Sequence, residues 1–370
     1  DSWHNDRGTY GSKTIQLDAM PSKMPYEHTL EMWCARRAMQ FMEDAGDQPF
    51  CIQIAFQKPH HPLTPQQQFW DLYPDDIELP DALGEEPAHR GPAFRAMWKR
   101  HHEEAWEYAE EGESIEDGFR RAWRGTLACI SQMDDVFGQL MTFLEKKGLA
   151  DDTIVIYSSD HGAYHGVHGL REKAPGINSN EVCRVPLLWR APGVTKPGSV
   201  QNGLFSEIDF VPTLSTLCGL PILDSADGLD VTPMLRGESS DINREVVTEN
   251  AWSKAIRWDR WRLVHTPRGM FGDEEACELY DLEADPGETV NLAGDSAYRE
   301  VVEEGRRRLL DWLIRTSRAT TNQPAVYEND VGGGRKEVVP HHRTYPVASD
   351  GRAPRELQAR FRDDLMDVYL

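Results

Sequence analysis

Apolar residues recur along this chain with two different periods, and their alternation outlines an α/β protein. From Tyr26 to Glu43, Leu30, Trp33, Cys34, Ala38 and Phe41 follow the three- and four-residue spacing of one helix face, and Gly46 ends it. Pro49 to Phe56, PFCIQIAF, is an apolar run of strand length. A long amphipathic helix is predicted from Ile115 to Lys147, with Leu127, Ile130, Met133, Phe137, Leu140 and Leu144 on one stripe and Gly148 as its stop. The β-branched run Thr153 to Tyr157 then reads as a buried strand of a parallel sheet. Val185 to Trp189 gives another short strand, and Ile208 to Leu217 a helix with Pro212 in its first turn. Helix, short loop and buried strand form the repeating step of a doubly wound domain, so the fold class is α/β with a mostly parallel sheet.

From Val246 the pattern shortens. Strands at 246–249, 253–257, 261–265 and 278–280, separated by turn residues, predict a smaller antiparallel sheet, and a helix over 297–314 follows. Residues 70–113 are charged, aromatic and without a clean period; they read as an excursion over the pocket, with His101 and His102 solvated. The domains drawn from this are 1–240 for the α/β part, 241–318 for the antiparallel sheet with its helix, and 319–370 for an extended tail through which copies could pack as a homo-oligomer.

The totals narrow the partners. Net charge is -22, from 62 acidic against 40 basic residues, which argues against nucleic acid or an anionic membrane surface. No apolar run reaches the length of a membrane span. Six scattered cysteines without CxxC spacing favour reduced thiols and a cytoplasmic setting, a periplasmic or secreted one staying open. The opening DSWHNDRGTY has no secretory pattern, so any targeting segment is expected upstream.

Candidate chemistry concentrates in YSSDHGAYHGVHGLREK, Tyr157 to Lys173. Asp160 and His161 stand at the carboxyl end of a predicted strand, where open α/β sheets bind ligands, and an Asp-His pair there suits a metal. His165, His168 and Lys173 follow in a loop whose glycines permit tight turns. The run PFCIQIAF ends in Gln57-Lys58-Pro59-His60-His61-Pro62, a second strand end that carries histidines.

With both strand ends in view, the sequence resembles the sulfatases of the alkaline phosphatase superfamily. Five stretches match in the family's order: PFCIQIAFQKPHHPLTP, ADDTIVIYSSDHG, VHGLREK with NEVCRVPLLWRAPGV, SEIDFVPTLSTLCGL, and ELYDLEADPGETVNLA. Lys173 stands thirteen residues after Asp160. The resemblance implies that Asp160 and His161 are ligands of one divalent cation, Ca²⁺ by family or Mn²⁺ if the nitrogen ligand decides. It makes Lys173 the group at a sulfate oxygen and the leaving-group oxygen. His60, rather than neighbouring His61, becomes the histidine that assists departure of the alcohol. It sets His168 beside the substrate, which would be a sulfated small molecule or glycan. Asp209 and Asp281 fall in motifs that read as packing.

The family also carries, near its amino terminus, a metal-binding Asp pair and a Cys/Ser-x-Pro/Ala-x-Arg motif whose first residue becomes the formylglycine nucleophile. No cysteine here stands in such a motif, and the match begins past the place where relatives carry it. The nucleophile is therefore expected from an amino-terminal segment of the same protein or from a second chain. The alternatives are a phosphonate monoester or phosphodiester hydrolase of the same superfamily, and a non-catalytic relative that binds without turnover.

Overall fold

The computed structural model describes residues 19–79, 88, 90–103, 112–170, 173, 177–223, 226–240, 242–250, 253–269 and 275–316. The chain divides into two compact units, Asp1–Leu309 and Leu310–Leu370, and all that follows belongs to the first. The tail from 319 and the oligomer contact expected of it lie outside the described residues, as do 80–87 and 104–111 of the excursion.

Helix α1, Leu30–Ala45, begins at Thr29, whose side chain accepts from the Met32 N–H, and stops at Gly46 with φ 56°. Its buried face differs from the expected one: Met32, Ala35, Ala38 and Met42 point inward, while Leu30, Trp33 and Phe41 are exposed. The sequence offers two helical stripes, and the one holding two alanines wins because it lets α1 lie close against a neighbour. After the short helix α2, Pro92–Glu103, that neighbour is α3, Ile115–Lys146, which contributes Val136, Leu140 and Leu144 to the same cluster. Ser114 caps α3 by accepting from the Asp117 N–H. At Gly125 a Cβ would stand 2.9 Å from that of Leu63, so only glycine permits this crossing.

Residues 50–56 are extended against that core. Ile52, Ile54 and Phe56 pack onto α1 and α3, alternating with exposed Cys51 and Ala55, yet no ladder forms along them among the described residues. Strand β1, Val155–Ser158, corrects two expectations: it is half-buried, and its described partner, β2 at Leu187–Arg190, runs antiparallel, pairing Val155 with Arg190 and Ser158 with Leu187. The chain returns through the loop and turns back along β1, so the nearest strand is the reversed one. Phe137 of α3 meets Tyr157 edge-on, ring centres 5.4 Å apart, and ties the strand to the helix that leads into it.

Helix α4, Phe210–Leu217, follows a turn in which Asp209, 1% exposed, accepts from the Ser206 and Leu229 N–H groups and the Asn243 amide. The packing role expected of Asp209 holds. The antiparallel sheet is also as expected: β3 (Glu245–Glu249), β4 (Lys254–Trp258), β5 (Trp261–Thr266) and β6 (Ala276–Asp281) pair in chain order. Asp281 accepts from Arg260 and from the Glu283 and Ala284 N–H groups, a structural task as predicted. Helix α5, Arg299–Thr316, crosses the sheet at Gly305, where a Cβ would lie 2.6 Å from Trp258.

The excursion is more ordered than its irregular pattern implies. Phe94 and Met97 of α2 are buried with Tyr164, Leu170 and Ile177, which puts the helix against the His-rich loop, and His101 is buried rather than solvated. Among the described residues no helix is long and apolar enough to cross a membrane.

Candidate active site

The loop after β1 organises itself around backbone groups. Ser159 donates its hydroxyl to the His161 carbonyl at 2.9 Å, and the His161 N–H donates to Asp160 Oδ1 at 3.0 Å. His161 Nδ1 lies 2.8 Å from the Gly162 carbonyl, an acceptor only, so the proton sits on Nδ1 and the Nε2 lone pair faces outward. That Nε2 stands 3.4 Å from Lys173 Nζ and 3.6 Å from Asp160 Oδ2. The structure thus brings together Asp160, His161 and Lys173. Glu207, from the turn before α4, shares their field: burial, then the Asp160 carboxylate, pushes its pKa up, against the pull of His161. Nothing in the sequence pattern singled Glu207 out.

The two histidines of the other strand end part company. His60 is exposed, its Nδ1 3.0 Å from the His61 carbonyl, and it borders a cavity of about 60 Å³ shared with Glu31 and Lys58. Glu31 is 1% exposed and pairs with Lys58 at 3.6 Å. His61 turns inward, its ring 5.9 Å from that of His165. Burial, reinforced by His165, His60 and Lys173, holds its pKa down at about 3. Burial likewise takes His165 down to about 4, and its carbonyl accepts from Trp123 Nε1 at 2.7 Å. Both imidazoles are therefore neutral near pH 7.

His168 is buried, with φ 53° in the left-handed region. Its Nε2 lies 3.5 Å from Arg90 Nη2 and 3.6 Å from Glu181 Oε1. Glu181 titrates near pH 2: burial raises it, and hydrogen bonds from His168 and Ser179 more than offset that. Sequence reasoning did not single out Arg90 or Glu181, because each lies far from the loop in the chain and only packing joins them.

The five-residue nucleophile pattern does occur once, in its serine form, as Ser253-Lys254-Ala255-Ile256-Arg257, a match missed in the search for an amino-terminal motif. Its setting rules it out as a nucleophile: Ser253 is 4% exposed at the start of β4, and its hydroxyl receives the Asn178 and Asn250 amides at 3.1 Å each.

Comparison with known proteins agrees with this geometry. The family described as Sulfatase matches residues 2–220, and that described as N-sulphoglucosamine sulphohydrolase, C-terminal, matches 166–314. A choline-sulfatase of Rhizobium meliloti (strain 1021) is 28% identical over 304 residues, 79% of this chain and 56% of its own length. The multifunctional alkaline phosphatase superfamily protein PehA of Trinickia caryophylli is 27% identical over 320 residues, 80% of this chain and 61% of its own. The chain thus spans somewhat over half the length of these relatives. Among solved structures, one in complex with its substrate D-glucosamine-2-N,6-O-disulfate superposes with a TM-score of 0.66 at 23% identity, covering 77% of this chain and 69% of that one. A phosphonate monoester hydrolase from Silicibacter pomeroyi gives 0.67 at 19% identity, covering 95% and 72%. These likenesses show the fold, an alkaline-phosphatase-like α/β domain with a smaller antiparallel sheet.

Proposed function

The chain belongs to the sulfatase family, and from that premise we propose that the complete protein hydrolyses sulfate esters, with these residues forming the leaving-group side of the active site. The supporting observation is the approach of the Lys173 ammonium to the outward Nε2 of His161 beside the Asp160 carboxylate. A carboxylate and an imidazole lone pair facing one space suit two positions around a divalent cation, calcium by family resemblance or manganese by the nitrogen donor. No group of three or more His, Cys, Asp and Glu able to hold a metal occurs among the described residues, so the remaining ligands are assigned elsewhere. When bound, such an ion places positive charge against the sulfate oxygens.

The chain's own residues do the rest. Lys173, a compact charge with three donors, holds the oxygen on which charge grows as the S–O bond breaks. A departing alkoxide needs a proton near neutral pH. His61, held neutral down to about pH 3, cannot carry one there, which leaves exposed His60 as the donor. The nucleophile, a formylglycine, is assigned to a segment of the same protein or a second chain outside these 370 residues. The substrate class is a sulfated small molecule or glycan, in keeping with relatives named choline-sulfatase and N-acetylglucosamine-6-O-sulfatase.

A second possibility, phosphonate monoester hydrolysis, draws on PehA and the Silicibacter neighbour. The full-length protein, purified from its natural gene, should turn over an aryl sulfate faster than the matching aryl phosphonate monoester. A preference for the phosphonate supports the second possibility, and no turnover of either supports a non-catalytic relative.

A further inference from the structure

The loop that presents His161 and Lys173 makes no strand ladder; its attachments converge on one short segment, Asn178 to Cys183. The Gly162 N–H donates to the Val182 carbonyl at 2.8 Å, and a Cβ on Gly162 would sit 1.9 Å from the Glu181 carbonyl oxygen. Tyr164, fully buried, shares a hydrogen bond of 2.5 Å with Ser179. His168 reaches Glu181, as described above.

That segment is held in turn by the antiparallel sheet. The Asn180 N–H donates to Glu288 Oε2 at 2.7 Å, and Arg262 of β5 bridges Glu288 at 2.9 Å and the Asn180 side chain at 2.9 Å. Glu288 is 0% exposed, so this pairing is dry and directional. Asn178 reaches Ser253 at the head of β4. A second tie runs through Arg90, 3% exposed, whose guanidinium lies 4.5 Å from the Phe94 ring centre and 4.8 Å from that of Tyr280 on β6. A histidine in the left-handed region carries a backbone cost that the surroundings must meet, and here Arg90 and Glu181 meet it from two sides.

We propose that Arg90, His168 and Glu181 are positioning residues, a buried relay through which the antiparallel sheet fixes the loop that carries His161 and Lys173. This rests on the sulfatase assignment only for its kinetic consequence. His168 acts from inside the protein and does not touch the substrate. A slackened loop displaces Lys173 from the departing oxygen, so the loss is largest where that oxygen is the poorest leaving group.

The test uses the full-length protein with Glu181→Gln, which keeps the shape and removes the charge. Hydrogen exchange across 162–170 should quicken by about tenfold or more while the β3–β6 amides keep their protection. The kcat for an alkyl sulfate should fall about tenfold further than that for 4-nitrophenyl sulfate, with KM within about twofold. Unchanged exchange overturns the relay, as does a raised KM at constant kcat, which would put His168 on the substrate, or an equal loss with both leaving groups. If the wild type hydrolyses no sulfate ester, the functional assignment fails and exchange alone decides the relay. Should Glu181→Gln not fold, His168→Asn decides by the same measurements, asparagine being at ease in left-handed backbone.

Discussion

Replacing His165 by asparagine isolates the cost of burying a neutral imidazole. His165 is 8% exposed, with φ 44°, a conformation asparagine tolerates, so the substitution removes the titrating ring without a new backbone penalty. Burial lowers its pKa from 6.5 to about 4. The sign follows from proton counting. Above pH 6.5 neither the folded nor the unfolded ring is protonated. Between 6.5 and about 4 the unfolded ring takes up a proton that the folded ring refuses, so stability falls as pH falls. Below about 4 both are charged and the loss is complete. The full loss corresponds to about 3 kcal/mol, and at pH 5 about 2 kcal/mol of it is already gone relative to pH 7.5. Urea unfolding of the wild type and His165→Asn at pH 7.5, 6, 5 and 4.5 measures this directly. The gap between the two proteins should shift by about 2 kcal/mol in favour of the variant from pH 7.5 to 5. Two curves that stay parallel would refute the assignment of a neutral buried ring. His61, lowered to about 3, should repeat the pattern over a window that reaches further into acid.

Glu288→Gln leaves Arg262 buried opposite a neutral amide and should destabilise the protein by about 3–5 kcal/mol in denaturant titration. Gly162→Ala forces the loop away from the Glu181 carbonyl; a cost of about 1–3 kcal/mol is expected, with a fall in activity that Gly287→Ala, with room for its Cβ, does not share. Lys173→Ala in the complete enzyme should reduce kcat about a hundredfold or more while urea midpoints hold, and activity within about threefold of wild type would dismiss its role. His60→Ala should behave similarly on alkyl sulfates and mildly on 4-nitrophenyl sulfate, whose leaving group needs no proton.

The elements with strong periods were legible in the sequence: α3, α5, β1 and the four strands of the antiparallel sheet fall close to where apolar spacing and turn residues put them. Strand partners were not, because Val155 to Ser158 looks the same whether its neighbour runs with it or against it. The inward face of α1 was misjudged because its alanines score weakly as apolar residues yet permit the closest packing. At the site, Asp160, His161 and Lys173 could be found because they lie within one loop and one motif. Arg90, Glu181 and Glu207 come from separate parts of the chain, and the distances that give them meaning exist only after folding. The excursion hid α2 because charged residues interrupt its apolar spacing.

The stacking of Arg90 between Phe94 and Tyr280 has a bearing on how parts of this protein can be exchanged. One ring comes from the helix that lies on the His-rich loop and the other from the last strand of the small sheet, so a graft of the sheet alone would leave a buried guanidinium facing a foreign surface. Chimeras between relatives should therefore retain function only when residues 90–97 travel with 253–288 as a single module, and donors whose residues at those two ring positions are aliphatic should make poor hybrids.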